Sequence, residues 1–205
     1  MEILSRLTGA PYCTGGFLRV GVTFLAILGS VCAGAPQART ADSYSEDAVK
    51  AAYLYRCVGY VSWPSEGSGG KPFTIAVLDA PGVASELRRL LPGHPINGGI
   101  AQVREITRPQ DAATAQVLYV GAGHADLLRA LNSDAASRSI LLVTDEAGGL
   151  QSGSVLNFLN IDHRVRFEIS LTAADRVHLK ISSDLLSIAI RVQGGRRQAD
   201  DARAF

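Results

Sequence analysis

The chain has 205 residues and a formal net charge of +1, with no large basic patch, which excludes nucleic acid as a natural partner. It is 47% hydrophobic, and without a leader of the kind described next it keeps about 170 residues, the size of one domain. A chain of that length buries roughly 70% of its unfolded surface and needs no covalent staples.

Residues 1–35 read as a secretory signal peptide. Arg6 and Arg19 supply the positive flank, Val20 to Val31 the short apolar core, and Cys32-Ala33-Gly34-Ala35 the small residues of a cleavage site. Cleavage is expected after Ala33 or Ala35, with Ala38 a further option. The apolar run is shorter than the roughly 20 residues of a membrane span, so an uncleaved anchor is the lesser alternative. Bulky Val31 before Cys32 argues against a lipoprotein. The chain has three cysteines, Cys13, Cys32 and Cys57; cleavage after Ala33 removes the first two and leaves no internal disulfide. Cys57 lies in an apolar helical stretch and is expected to be buried, the alternative being a link between two chains.

After a small, polar entry, Ser45 followed by Glu46 and Asp47 starts a helix, the hydroxyl as cap and the acids at the positive end of the helix dipole. Ala51, Leu54, Val58 and Val61 follow at spacings of 3, 4 and 3, predicting one buried face and a helix running to about Ser62, where Trp63-Pro64 stops it. Trp63 is either a core plug or an anchor for a partner. Phe73–Leu78 is apolar without alternation, as in a strand covered on both faces. Val83–Leu91 reads as a helix with Leu87, Leu90 and Leu91 inward. Ile100–Ile106 alternates, Val117–Val120 and Ile140–Thr144 are further buried strands, and Ala125–Leu131 is a helix between them.

The pattern then changes. Ala147–Gly153 holds three glycines and is a loop; Val155–Asn160 and Val165–Ser170 form a hairpin around Ile161-Asp162-His163-Arg164. Arg164, Arg166 and Glu168 alternate on one face of its second strand, as an exposed, mutually paired charged face or as a docking surface. Thr172–Val177 reads as a short helix, and Ser182-Ser183 caps another carrying Leu185, Leu186, Ala189 and Ile190. Strand–helix alternation closed by a hairpin predicts a three-layer single α/β domain over residues 45–193, with a mixed, mostly parallel central sheet and a C-terminal hairpin plus helices; residues 194–205 form a polar tail.

Catalytic patterns are scarce. Gly121-Ala122-Gly123-His124 stands between a strand and a helix, where a phosphate loop would, but Asp126 occupies the place of the third glycine and would repel a pyrophosphate. His94, His124, His163 and His178 show no metal-ligand spacing, there is no nucleophile elbow, and Asp145 and Glu146 are adjacent rather than facing. Neither an enzyme nor a metal or cofactor site is expected.

An ordered set of segments resembles the YfiR family. The set runs from Lys50-Ala51-Ala52 through Trp63-Pro64, Phe73–Leu78, Ile140–Asp145 with Gly149-Leu150, Val155–Phe158 and Val165–Ile169 to Ile181–Leu186, and spans residues 47–192. The resemblance implies a periplasmic, non-enzymatic, dimeric protein that represses an inner-membrane diguanylate cyclase by binding its periplasmic sensor domain. It further implies lower cyclic di-GMP and less biofilm. Cys57 stands where the family often has an aromatic, Ser152-Gly153-Ser154 replaces a glycine-glycine-methionine-like turn, and the redox-sensing cysteines of some members are absent. Repression by binding is therefore expected, without redox control. The docking surface is expected near the glycine loop, hairpin and last helix, at Leu150, Phe158, Arg166 and Glu168. On this reading Glu168→Arg releases the cyclase without unfolding the domain. The alternative is a periplasmic small-ligand sensor. Its ligand would sit where the loops Asp79–Gly82, Gly121–His124 and Asp145–Gly149 cluster, provided their strands are parallel.

Overall fold

A computed structural model describes residues 44–64, 72–96 and 98–194. The leader, Cys13, Cys32, residues 65–71 and the tail from 195 onward lie outside the described residues.

Helix α1 (Glu46–Val58) starts as its sequence demands: Ser45 Oγ accepts the Ala48 N–H at 3.1 Å, and Glu46 and Asp47 occupy the first turn. Ala51, Leu54, Cys57 and Val58 are buried on its inner face. The helix ends at Gly59, one turn before the expected Ser62. Val61–Ser62 is instead a short strand, β1, whose β-branched Val61 pairs with Ile181. The backbone is already extended on approach to Trp63-Pro64, as the proline requires.

The main elements follow as β2 (Phe73–Leu78), α2 (Pro81–Leu90), β3 (Ala101–Ile106), a 3-10 turn (Pro109–Ala112), β4 (Val117–Val120), α3 (Ala125–Arg138) and β5 (Leu141–Thr144). The hairpin is β6 (Leu156–Ile161) and β7 (Arg164–Ser170), and the chain closes with α4 (Leu171–Arg176), β8 (Lys180–Ile181), α5 (Ser183–Ile188) and β9 (Arg191–Gln193). Seven strands form one sheet in the order β3-β2-β4-β5-β6-β7-β9. The first five are parallel; β7 runs antiparallel to β6, and β9 parallel to β7. β1 and β8 form a separate antiparallel pair. The sheet is therefore mixed and mostly parallel, with the hairpin near one side.

The β2–α2–β3 connection moves one way along the sheet and β4–α3–β5 the other, so right-handed crossovers place α2 and α3 on opposite faces. α1 packs beside α2, giving three layers. Every residue of β2, β4 and β5 is buried, which explains why these strands lack alternation. On the α1 face Tyr53 sits against Phe167 and Phe158 at centroid distances of 5.8 and 6.5 Å, and Phe158 lies 6.3 Å from Tyr119. Trp63 is half-buried and packs edge-on against Phe73 at 5.3 Å, the core-plug arrangement.

Three expectations are corrected here. α3 runs on past Leu131 to Arg138, because Leu128, Leu131 and Ala135 continue one buried stripe. Ile100 is exposed and lies just outside the edge strand β3. The last helix ends at Ile188, and Arg191–Gln193 leave it to pair with β7. At the hairpin tip Asp162 and His163 both have positive φ, 49° and 58°, the backbone of a two-residue turn matched to the twist of its strands.

Candidate functional site

β2, β4 and β5 are parallel, and the loops after them do meet at the carboxyl end of the sheet. β2 and β4 are also where the crossovers diverge, the place where open α/β sheets hold ligands. Here that place is filled by the chain itself. The Asp79 carbonyl lies so close to Gly121 that a Cβ on Gly121 would come within 2.2 Å of it. His124 Nε2 is 3.0 Å from Asp79 Oδ2, joining the two loops a second time. The third loop enters through Glu146, whose Oε2 accepts the backbone N–H groups of Gly123 and, at 3.0 Å, His124. The glycine-rich turn thus opens a helix as expected, and its anion position is taken by an internal carboxylate. Asp47 plays a parallel part on α2: a Cβ on Gly82 would meet its Oδ2 at 1.9 Å, so the carboxylate rests on the first turn of that helix.

α1 closes the cluster from one face. Lys50, only 7% exposed, donates to Asp145 Oδ2 at 2.5 Å and pairs with Glu46 Oε1 at 2.7 Å. Burial pulls the Lys50 ammonium pKa down, but the hydrogen bonds and charges of Asp145 and Glu46 outweigh this and raise it overall. The Lys50 hydrogen bond holds the Glu46 carboxyl below the usual carboxylate range against the opposing effect of burial. Beneath them, burial and then the charge of Asp145 push the Tyr119 phenol well above its ordinary value. No group of three or more His, Cys, Asp or Glu side chains among the described residues is placed to hold a metal ion. A shallow pocket at the opposite end of the sheet, bounded by Pro109, Leu131 and Ile140, offers about 70 Å³, well short of the roughly 300 Å³ of a typical ligand site.

A second polar cluster lies on the other face, under the Ala147–Gly153 loop. Glu168 is fully buried; its Oε1 accepts from Asn157 Nδ2 at 2.8 Å and its Oε2 from Arg191 Nε at 2.6 Å and from the second Arg191 nitrogen. Gly149 presses on Asn157 and Thr144, where a Cβ would come within 2.6 Å of both side chains. Asn132 Nδ2 donates to the Ser152 carbonyl and ties α3 to the same loop.

Of the four side chains expected to dock a partner, three are interior. Leu150 is 4% exposed under its own loop, Phe158 is 1% exposed against Tyr53 and Tyr119, and Glu168 has no exposed surface. In this structure each of the three packs in the interior. The strand alternation put Glu168 on the right face, but the glycine loop covering that stretch is a tertiary feature. Arg166 alone reaches the surface, half-buried beside exposed Arg164. The chain carried no local signal for Lys50, Asp145 and Glu146 as one cluster, since their partners lie far apart in sequence.

The fold and its two polar clusters define a three-layer α/β domain whose strand-end crevice is closed by its own side chains and whose hairpin leaves one face open. The YfiR/HmsC-like family model matches residues 47–190, and the chain belongs to that family. Among solved structures it is similar to a conserved domain protein from Vibrio cholerae O1 biovar El Tor strain N16961, at 14% identity and a TM-score of 0.50. The match covers 73% of this chain and 60% of that protein, and at this identity it speaks for the fold alone. No curated protein matches this chain.

Proposed function

We propose that this chain is a periplasmic negative regulator that binds and inhibits an inner-membrane diguanylate cyclase, lowering cyclic di-GMP and biofilm formation. Membership of the YfiR/HmsC-like family over residues 47–190 is the observation that carries this reading. The protein acts by occupancy rather than by chemistry, as a homodimer, without a cofactor, after export by a cleaved leader. The docking side is the open face of the β6–β7 hairpin around Arg166. No helix among the described residues is long and apolar enough to cross a membrane, which suits a partner that is itself the membrane component.

The competing reading, a periplasmic small-ligand sensor, needs room at the strand ends. The Asp79–Gly121 contact and the Glu146 carboxylate on the Gly123-His124 turn that leads into α3 occupy that room. The test is cellular cyclic di-GMP in the source bacterium with the gene deleted and then restored. A rise on deletion that reverses on restoration supports repression. Unchanged levels, together with a saturable thermal-shift response of the purified protein to a metabolite, would replace it with the sensor reading.

A further inference from the structure

We infer that the outer face of the β6–β7 hairpin docks an acidic segment of its protein partner through Arg164 and Arg166; this rests on the regulator reading and names the chemistry of the partner. The inner side chains of the hairpin, Phe158 and Phe167, pack against Tyr53. Its outer side therefore presents Leu159 beside Arg166 and Ile161 beside Arg164, following the strand register. Ile161 is 42% exposed, Arg164 is exposed, and Leu159 and Arg166 are half-buried.

The two arginines stand at i and i+2 on one strand, roughly 7 Å apart along it. Neither makes a hydrogen bond or ion pair among the described residues. Arg88, Arg89, Arg108 and Arg129 are each paired on the surface with Glu105, Glu86, Asp111 and Asp126. The neighbouring charges do not supply a partner: Glu168, next in the row, is matched by Arg191, and Asp162 sits at the turn. The Ala147–Gly153 loop presses on Asn157, the hydrogen-bond partner of buried Glu168, and Arg166 is half-buried. A row of two unpaired guanidinium groups flanked by Leu159 and Ile161 fits carboxylates presented next to apolar side chains. A second copy of this face would set arginine against arginine, so the complement is a different, acidic surface.

The purified protein is titrated with the purified periplasmic domain of the membrane cyclase at low and at physiological salt. Variants are Arg164→Glu/Arg166→Glu and, as a charge control on α4, Arg176→Glu. The double reversal is expected to weaken binding by about tenfold or more and to flatten its salt dependence. The control is expected to bind within about twofold of the parent, and all proteins to melt alike. Equal binding by the double variant, or an equal loss with Arg176→Glu, overturns the inference and leaves the regulator reading standing. Retention of the parent by anionic phospholipid vesicles, lost with the double variant and without binding to the cyclase domain, overturns it in favour of a membrane surface. A parent that binds no cyclase domain, with cyclic di-GMP unmoved by gene deletion, removes both.

Discussion

Glu168 has no solvent-exposed surface, yet the arginine that neutralises it, Arg191, has a side chain 56% exposed. The pair fastens the last strand, three residues long, to the hairpin through a charge that cannot be left alone in the interior.

Removing one half of this pair is therefore costly. Arg191→Ala strands the carboxylate and is expected to destabilise the fold by roughly 1–3 kcal/mol. Glu168→Arg adds a second positive charge in a buried site, and an expected loss above roughly 3 kcal/mol makes it a folding variant rather than a clean release variant. Urea midpoints measure both. Hydrogen exchange on Arg191→Ala should show the 191–193 amides losing protection while β2 and β4 keep theirs; uniform loss across the sheet would refute the fastening role.

The three loops at the strand ends predict a steric result. Gly121→Ala drives a methyl group into the Asp79 backbone carbonyl, which has no rotamer to escape into, so the loops must part. The expected cost is roughly 2–4 kcal/mol, read as a drop in thermal midpoint. Gly99→Ala, whose Cβ would lie 3.7 Å from the nearest atom, should change the midpoint little.

Glu146 makes a chemical prediction. Glu146→Ala leaves the Gly123 and His124 N–H groups without their acceptor and should cost about 1 kcal/mol, the usual value of a lost helix cap. The vacated position then suits an external anion. Sulfate should raise the melting temperature of Glu146→Ala more than that of the parent, with sodium chloride at equal ionic strength as reference. Equal responses would argue that Glu146 is not holding an anion position.

Stability should fall on both sides of a broad pH plateau. Glu46 has a folded pKa below its ordinary 4.5, so its contribution is present above that value and disappears as pH drops through the folded pKa. Lys50 is raised above 10.5, so its contribution is complete below 10.5 and lost as pH climbs through the folded value. Burial pushes the Cys57 thiol from 9.0 up to about 12, so from about pH 9 the unfolded chain gives up a proton that the folded chain keeps. Lys50→Met should flatten the acid limb by removing the partner of Glu46. Cys57→Ala should soften the alkaline limb; chemical denaturation from about pH 2 to about pH 11 tests both.

Cys57 is a free thiol, 1% exposed. A thiol reagent at pH 8 should label it at the rate of unfolding rather than of chemistry, and non-reducing gels should show no Cys57-linked dimer. Immediate labelling in buffer would mean that α1 detaches from the sheet.

What the sequence carried well was whatever a short window can hold. β2, β4 and β5 are fully buried strands and read as unbroken apolar runs. Ser45, Ser170 and Ser182 each cap a helix by accepting a backbone N–H, and the first and last of these were legible as helix starts. The Asp162-His163 turn followed from two β-rich runs placed close together. What it carried poorly was set by distant partners. Val61 has the same neighbours in sequence whether it ends a helix or pairs with Ile181, and only the second strand decides. β9 is too short for any period to show, and Ile190 just before it mimics the apolar face of a helix. At the site, alternation placed Glu168, Arg166 and Arg164 on one face but could not foretell that Asn157, beneath Gly149, and Arg191 would enclose Glu168 alone.

The pairing of β1 with β8, and of Tyr53 with Phe158 and Phe167, joins the beginning of the domain to its end. Synthesis runs the other way in time: α1 is made first and can pack beside α2, while Tyr53 and β1 wait for the hairpin and β8. The β2–α2–β3 and β4–α3–β5 units can assemble meanwhile, whereas the contacts of Tyr53 and β1 with the end of the domain are of long sequence separation, the kind that slow folding. A nascent chain stopped before residue 164 thus leaves Tyr53 without Phe167 and Val61 without Ile181. A truncation that removes β8 should be felt at the far end of the domain, where Val61 and Ser62 lose their strand partner.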